Sequence, residues 1–247
     1  MQNKFLVVRY LLILCLIFTL LSTNAQNEKP CSCGSELNEA FEARLKGKLY
    51  QPLPGLLGCE YFIPGYLNGD IFLEDGQVGY DQQIRYNGRI DELLLLPQNS
   101  YKEIILDKYF IKEFSIKDVI TGKLNFRKIK VVKEFNSDSV EIFGQVLYQS
   151  KLALYAYRRY VFEQEISEYA GGRLIARKSF GPSFIYYFKL PDNKTIGFKS
   201  FRKRQLYKLF PGNKDLMRKL FKEKHQHRFR KEDDLIRITE ILNSMFK

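Results

Sequence analysis

Apolar and polar residues alternate over most of the chain, in short runs separated by turn signals. Between residues 61 and 200 the runs are broken at Asp75-Gly76, at Asn87-Gly88 and at Pro191-Asp192-Asn193. Glycine and asparagine tolerate the positive φ angle that tight hairpin turns require. Short strands at this spacing predict an antiparallel β-meander, folded as a sandwich, an open curved sheet or a partial barrel.

The individual strands are predicted from period-two alternation and from the turn signals between them. In 126–135 the alternation is partial and charge occupies one face, which indicates a half-exposed strand. The predicted strands are 66–73, 78–86, 89–96, 101–106, 110–116, 124–135, 140–148, 151–162, 183–190 and 195–199.

After residue 200 the hydrophobic pattern becomes helical. It predicts helices over 201–210, 214–227 and 231–246, the first stopped by Pro211-Gly212 and the second capped by Asn213. Their apolar stripes must be buried against one another or against the sheet. The expected fold is therefore α+β and mainly β, with a β domain over 61–200 and a bundle of about three short helices over 201–247.

The first 25 residues have the layout of a cleavable secretory signal peptide. Lys4 and Arg9 precede an apolar run over 10–21, and Thr23 and Ala25 occupy the positions that a signal peptidase reads. A membrane anchor is the rival interpretation, but a spanning helix needs ~20 apolar residues, and this run is shorter. We expect an exported chain that begins near Gln26, located in the periplasm, at the outer-membrane periphery or outside the cell.

Residues 26–60 are predicted to form an N-terminal leader that contains one short helix over 35–46. The leader contributes Cys31 and Cys33, and Cys59 follows near its end. Because an exported protein meets an oxidising compartment, we expect Cys59 to form a disulfide with Cys31 or with Cys33. No later stretch is long and apolar enough to cross a bilayer as a helix, so no transmembrane span is expected in the mature chain.

Positive charge changes this picture because it is concentrated in one segment. The chain carries a formal net charge of +12, and residues 26–198 are nearly neutral, whereas 199–231 hold 13 basic residues against Asp215 and Glu223. This segment is either a solvated helix face or a contact surface for an anionic partner. Nucleic acid is discounted, since an exported protein meets little of it. The expected contact residues are Lys199, Arg202, Lys203, Arg204, Lys208, Arg218, Lys219 and Lys222.

The residues that carry catalysis are scarce. His225 and His227 are the only histidines, and they lie among like charges, which disfavours a metal site. The carboxylate pairs Glu74-Asp75 and Asp91-Glu92 are assigned turn and surface roles, because neighbouring strand residues point to opposite faces. We therefore expect a non-enzymatic protein with no cofactor and no metal.

Six short runs carry a family resemblance: 65–76, 84–87, 91–93, 105–108, 205–212 and 232–236. They resemble segments of exported proteins of unknown function from Bacteroidota. The resemblance implies an envelope or secreted location in a Gram-negative bacterium, and it brings no activity or ligand. In that phylum Asp138-Ser139-Val140 also resembles an O-glycosylation acceptor, with Ser139 as the modified residue.

Two hypotheses for function follow. In the first, the basic helices bind an anionic envelope component or a protein partner. In the second, the protein is a periplasmic carrier that holds a small apolar ligand in a cup of the curved sheet. The aromatics expected to line that cup are Tyr148, Tyr155, Tyr157, Tyr160 and Phe162.

Overall fold

A computed structural model confirms a mainly antiparallel β protein with about three short helices near its C-terminus. It describes residues 41, 45–57, 59–132, 139–199, 203–223 and 231–244, and every structural statement below concerns these. The predicted signal peptide over 1–25 and the predicted helix over 35–46, apart from residues 41, 45 and 46, lie outside the described residues.

The described part of the chain contains fourteen strands and three α-helices. The strands are β1 (Gly47–Leu49), β2 (Leu56–Leu57), β3 (Leu67–Leu73), β4 (Val78–Asn87), β5 (Glu92–Leu95), β6 (Ile104–Leu106), β7 (Ile111–Asp118), β8 (Gly122–Val132), β9 (Ser139–Gln149), β10 (Ala153–Tyr157), β11 (Tyr160–Ala170), β12 (Arg173–Pro182), β13 (Ile185–Lys189) and β14 (Thr195–Phe198). The helices are α1 (Lys203–Leu209), α2 (Lys214–Glu223) and α3 (Glu232–Asn243).

Eleven of the strands form one open sheet with the order β1-β6-β5-β4-β3-β7-β8-β9-β10-β13-β14. Its first half curls tightly around a core. The ring centroids of Tyr86 on β4 and Phe143 on β9 are 6.4 Å apart, although four strand spacings separate them, which would be about 19 Å in a flat sheet. Phe114 and Phe126 stack between them, with ring centroids 4.8 Å apart.

The second half of the sheet curls in the opposite direction. Strands β8 and β14 are again four spacings apart in the order, yet their Cα atoms approach within 8 Å. Because side chains alternate between faces along a strand, Phe143 points into the first core and its neighbour Ile142 into the second, beside Ile129 and Tyr155. Strands β8 and β9 are therefore shared by both curls.

The helices cover the outer face of the second curl. Leu154, Phe188 and Phe198 on the strands pack against Leu206 of α1 and Ile238 of α3. α2 begins at Lys214 as predicted, and α3 buries the predicted stripe that contains Leu235, Ile238 and Leu242. The expectation that the apolar stripes are buried is confirmed for α3, whereas on α2 Met217 and Phe221 are buried and Leu216 is exposed.

A three-stranded sheet, β11-β12-β2, stands apart in the pairing scheme. The sequence predicts one strand over 151–162 and none over 163–182, whereas the structure ends β10 at Tyr157 and builds the β11–β12 hairpin from 160 to 182. The strand breaks at Arg158, which is buried and donates from Nε to Gln145 Oε1 and from a terminal nitrogen to Glu232 Oε2, both at 2.6 Å.

The β4–β5 turn also differs from the sequence prediction. The hairpin predicted at Asn87-Gly88 is confirmed, since Asn87 pairs with Glu92 across its loop. The loop spans 88–91, and the residue with positive φ is Asp91, at 56°, and not Asn87 or Gly88. Gly88 is instead required by a close approach, since a Cβ there would lie 2.2 Å from the carbonyl oxygen of Arg158. The Asp75-Gly76 turn is confirmed, with Gly76 at φ 87°.

Candidate functional site

A cleft of about 690 Å³ opens on the inner side of the second curl. Strands β8, β9, β10, β13 and β14 supply its walls, and the β4–β5 turn and Lys108 close one side. Its lining residues are Ile90, Asp91, Lys108, Val131, Val132, Val140, Glu141, Ile142, Tyr157, Arg159, Ile185, Tyr187, Thr195, Gly197 and Lys199. This volume lies within the ~300–1,000 Å³ that small-molecule sites occupy.

The wall of the cleft is apolar because of strand register. Val131 pairs with Val140 across β8 and β9, and Tyr157 pairs with Ile185 across β10 and β13, so these side chains share the concave face. Tyr187 lies opposite Gly197, where a Cβ would come within 2.8 Å of its ring. The glycine thus leaves room for the tyrosine ring over β14.

Asp91 is the buried charged group of the cleft. Its Oδ1 accepts hydrogen bonds from the Tyr86 hydroxyl at 2.6 Å and from the Phe143 backbone N–H at 3.3 Å, and its Oδ2 accepts from Lys108 Nζ at 2.8 Å. Burial raises the pKa of the Asp91 carboxyl, and the Lys108 ammonium group offsets only part of that effect. The surface role expected for Asp91 is wrong, because this carboxylate ties the β4–β5 turn to β9.

Cations are placed at the rim of the cleft. Arg159 is exposed in the connection between β10 and β11, and Lys199 is exposed directly after β14. Lys108 is already hydrogen-bonded to Asp91, and Glu141 is the other carboxylate of the lining. An apolar wall that ends at two cations matches the chemistry of an organic anion with an apolar body.

The five aromatics expected to line a common cup do not come together. Tyr157 lines the cleft, and burial raises the pKa of its phenol, which keeps the group neutral. Tyr155 is buried beneath the concave face, and Tyr148 packs on the helix-facing side. Tyr160 and Phe162 belong to β11 in the separate sheet. Tyr187 carries no sequence signal for this position, since only the β10–β13 pairing brings it beside Tyr157.

The predicted anionic-contact residues divide between two places. Lys199 lies at the cleft, and the described side chains on the helices are exposed: Arg204, Lys208, Arg218, Lys219 and Lys222. Arg218 donates to Asp215 of the same helix at 3.2 Å, and its guanidinium lies 5.9 Å from the Tyr207 ring centroid of α1. Lys203 begins α1, and Arg202 lies outside the described residues.

The remaining predicted sites are only partly described. Cys59 is half-buried, with its Sγ 3.4 Å from the Tyr61 carbonyl oxygen, while Cys31 and Cys33 lie outside the described residues, so the disulfide stays a prediction. Ser139 is exposed at the start of β9, and Asp138 lies outside the described residues. The two histidines lie outside as well. Glu74 pairs with Lys128 at 2.8 Å, and Asp75 Oδ1 accepts from the Gln77 N–H within its turn.

A smaller cavity of about 340 Å³ opens at one end of the first core. Leu73, Leu106 and Phe110 are among its walls, and Lys46 lies 4.7 Å from the Phe110 ring centroid. Its outer charges are of both signs, including Glu74, and it has no counterpart to the paired rim cations of the cleft among the described residues. The cleft is therefore the better candidate for a binding site.

Within the described part of the chain, no cluster of three or more His, Cys, Asp or Glu side chains could hold a metal ion. Among the same residues, no helix has the length and hydrophobicity that crossing a membrane requires. No protein family, no curated protein and no solved structure matches this chain.

Proposed function

We propose that this protein is a carrier that binds an amphipathic organic anion in the cleft outside the cytoplasm. The observation that carries the proposal is the convergence of an apolar valine, isoleucine and tyrosine wall on Arg159 and Lys199. The wall would bury the apolar body of the ligand, and the rim cations would hold its anionic head. The compartment follows from the predicted signal peptide over 1–25.

The charge balance of the cleft supports an anionic ligand. Asp91 is saturated by three hydrogen bonds and paired with Lys108, so it adds little negative field at the rim. Arg159 and Lys199 outnumber Glu141 among the outer groups, and Arg159 is the exposed cation on which the test below depends. A ligand that presented a cation there would face the majority charge of the rim.

The test uses two probes that differ in charge and share a similar apolar body, 1-anilinonaphthalene-8-sulfonate and the uncharged N-phenyl-1-naphthylamine. Arg159→Gln should weaken sulfonate binding about tenfold, because a charge-assisted hydrogen bond contributes roughly 1.5 kcal/mol. Binding of the uncharged probe should change less than twofold. Fluorescence titration of the folded protein measures both affinities.

Lys219→Gln is the matched control, since Lys219 is an exposed cation on α2 away from the cleft lining. It should leave both affinities unchanged. Equal losses for Arg159→Gln and Lys219→Gln would contradict binding in the cleft, as would a wild-type protein that binds neither probe. A second variant, Val140→Trp, places a large side chain in the cleft and should weaken the binding of both probes.

The exposed cations of α1 and α2 favour a second candidate function, contact with an anionic envelope component. Arg204, Lys208, Lys219 and Lys222 are all solvent-exposed. Each basic residue near an anionic membrane surface gains about 1 kcal/mol. Replacing all four with glutamate should abolish salt-sensitive sedimentation with phosphatidylglycerol vesicles and leave probe binding in the cleft intact. Unchanged sedimentation would exclude this second function.

A further inference from the structure

The outer part of the β11–β12 hairpin, residues 166–177, is a projecting two-stranded ribbon; we call it the hairpin tip. β2 pairs with β12 only at Lys178 and Ser179, below the tip. Among the described elements, β12 and β11 make their extensive contacts with each other and with β2 alone. A two-stranded hairpin by itself is marginally stable in water. Apolar side chains that it exposes therefore indicate that another surface or an apolar environment covers them.

Apolar side chains emerge on both faces of the hairpin tip. Tyr169 is 80% exposed and faces its cross-strand partner Leu174, which is 62% exposed. Ile166 and Ile175, each 38% exposed, occupy alternate positions and so point to the opposite face. A flat protein surface could cover only one of these faces, whereas an environment that surrounds the ribbon covers both.

The charged residues of the hairpin tip are distributed unevenly along its length. Glu168 and Arg177 form an ion pair at 3.1 Å on the near side of the tip. Beyond that pair, from Tyr169 to Ile175, Arg173 is the only charged residue. The end of the ribbon therefore carries one positive charge and no carboxylate.

We propose that the hairpin tip inserts into the interfacial layer of a bilayer that contains anionic lipid. Tyr169 and Leu174 lie two residues from the Gly171-Gly172 turn on either strand, a depth of roughly 7 Å at the rise of a β-strand. Interfacial elements penetrate about 5–10 Å. Tyrosine is suited to this layer because its ring is apolar and its hydroxyl is polar, and Arg173 can pair with lipid phosphate. The Glu168–Arg177 pair marks the depth limit.

The absence of tryptophan from the chain permits a direct test. Tyr169→Trp places one tryptophan at the hairpin tip, and Tyr101→Trp places one at a fully exposed site outside it as the matched control. With vesicles of phosphatidylcholine and phosphatidylglycerol, emission from position 169 should shift to shorter wavelength. Brominated lipid should quench it. Emission from position 101 should show neither effect.

The double change Tyr169→Ser with Leu174→Ser should lower vesicle partitioning at least tenfold at high salt, where contacts of the basic helices are screened. Because both side chains are exposed, the thermal transition of the double variant should match the wild type. Arg173→Gln should reduce the preference for phosphatidylglycerol over pure phosphatidylcholine vesicles severalfold. The proposal would be overturned if vesicle partitioning were lost only in the variant with four glutamates on α1 and α2 and if position 169 showed no emission shift.

Two further outcomes also overturn it. An emission shift at position 169 that depends on protein concentration and needs no lipid would assign the hairpin tip to self-association. Equal quenching at positions 169 and 101 would show that contact with the bilayer is not specific to the hairpin tip. Neither result would bear on the cleft, whose probe titration is carried out without lipid.

Discussion

At the scale of single residues, Gly88 shows how one position depends on segments distant in sequence. Its N–H donates to the Glu60 carbonyl at 2.9 Å, and its carbonyl accepts from the Tyr160 N–H at 3.0 Å. The Arg158 carbonyl oxygen fills the place where a Cβ would stand. A side chain there would therefore push apart three segments that meet at this glycine.

We expect Gly88→Ala to lower the free energy of unfolding by about 2–3 kcal/mol, since backbone atoms must shift to admit the methyl group. Gly212→Ala is the matched control, because a Cβ at Gly212 meets no atom within 4 Å and should cost less than about 0.5 kcal/mol. Urea denaturation followed by circular dichroism measures both. Equal costs at the two glycines would contradict the close approach.

Glu92 gives the molecule a pH dependence near neutrality. Burial raises the pKa of its carboxyl to about 6, with Lys108 opposing and Asp91 adding to the shift. A raised acid pKa means that the folded state holds the proton more tightly than the unfolded chain. The contribution of this group to the free energy of unfolding is therefore highest below about pH 4.5 and falls as the pH rises through 6.

We expect the free energy of unfolding of Glu92→Gln, relative to the wild type at the same pH, to increase by about 1 kcal/mol when the pH is raised from about 4.5 to about 7. Each pKa unit corresponds to about 1.4 kcal/mol, and partial exposure reduces the effect. Urea titrations at both pH values measure the difference. A wild-type–variant difference that is constant with pH would refute the assignment.

At the scale of elements, two adjacent arginines have different roles, one in stability and the other in the proposed binding. Arg158 directly follows β10 and is buried between Gln145 of β9 and Glu232 of α3, which links the sheet to the helix. Arg159 is exposed at the cleft rim. The same residue type thus has two roles, because one side chain points into the protein and its neighbour into solvent.

Arg158→Met should lower the free energy of unfolding by about 2–3 kcal/mol, because the half-buried Glu232 carboxylate and the Gln145 amide oxygen lose their donor and water reaches only the former. Arg159→Met should change stability by less than about 0.5 kcal/mol and should weaken sulfonate-probe binding. Thermal and urea unfolding, together with the fluorescence titration, distinguish the two effects. A stability loss at Arg159 comparable to that at Arg158 would contradict this division.

At the scale of the whole described molecule, the two curls share β8 and β9, so their cores are mechanically connected. Phe143 and Ile142 are neighbours in sequence and serve different cores. A loss of packing in either core therefore disturbs strands that the other core needs. We infer that both curls unfold together.

Phe143→Ala should cost about 3–5 kcal/mol and Ile142→Ala about 2–4 kcal/mol, as buried truncations do. In each variant, near-ultraviolet and far-ultraviolet circular dichroism should report one coincident transition. Val119→Ala, at a residue 96% exposed in the β7–β8 turn, is the control and should have little effect. Separate transitions in Ile142→Ala would show that the curls unfold independently.

The local pattern was sufficient to predict most strands and all three helices. Period-two and helical spacing are properties of consecutive residues, so β3, β4 and the buried stripe of α3 could be read directly. The β11–β12 hairpin was missed because apolar residues appear on both of its faces and no single face is buried. The break at Arg158 was missed because its partners are remote in sequence.

The sequence by itself determined the types of the elements, the order in which they occur and the concentration of positive charge near the C-terminus. Only the tertiary structure decided which faces became concave, because curling brings together β4 with β9 and β8 with β14 across four strands. The cleft, the buried Asp91 and the change of role for Lys199 all follow from that curling. They depend on long-range pairing, which no local period encodes.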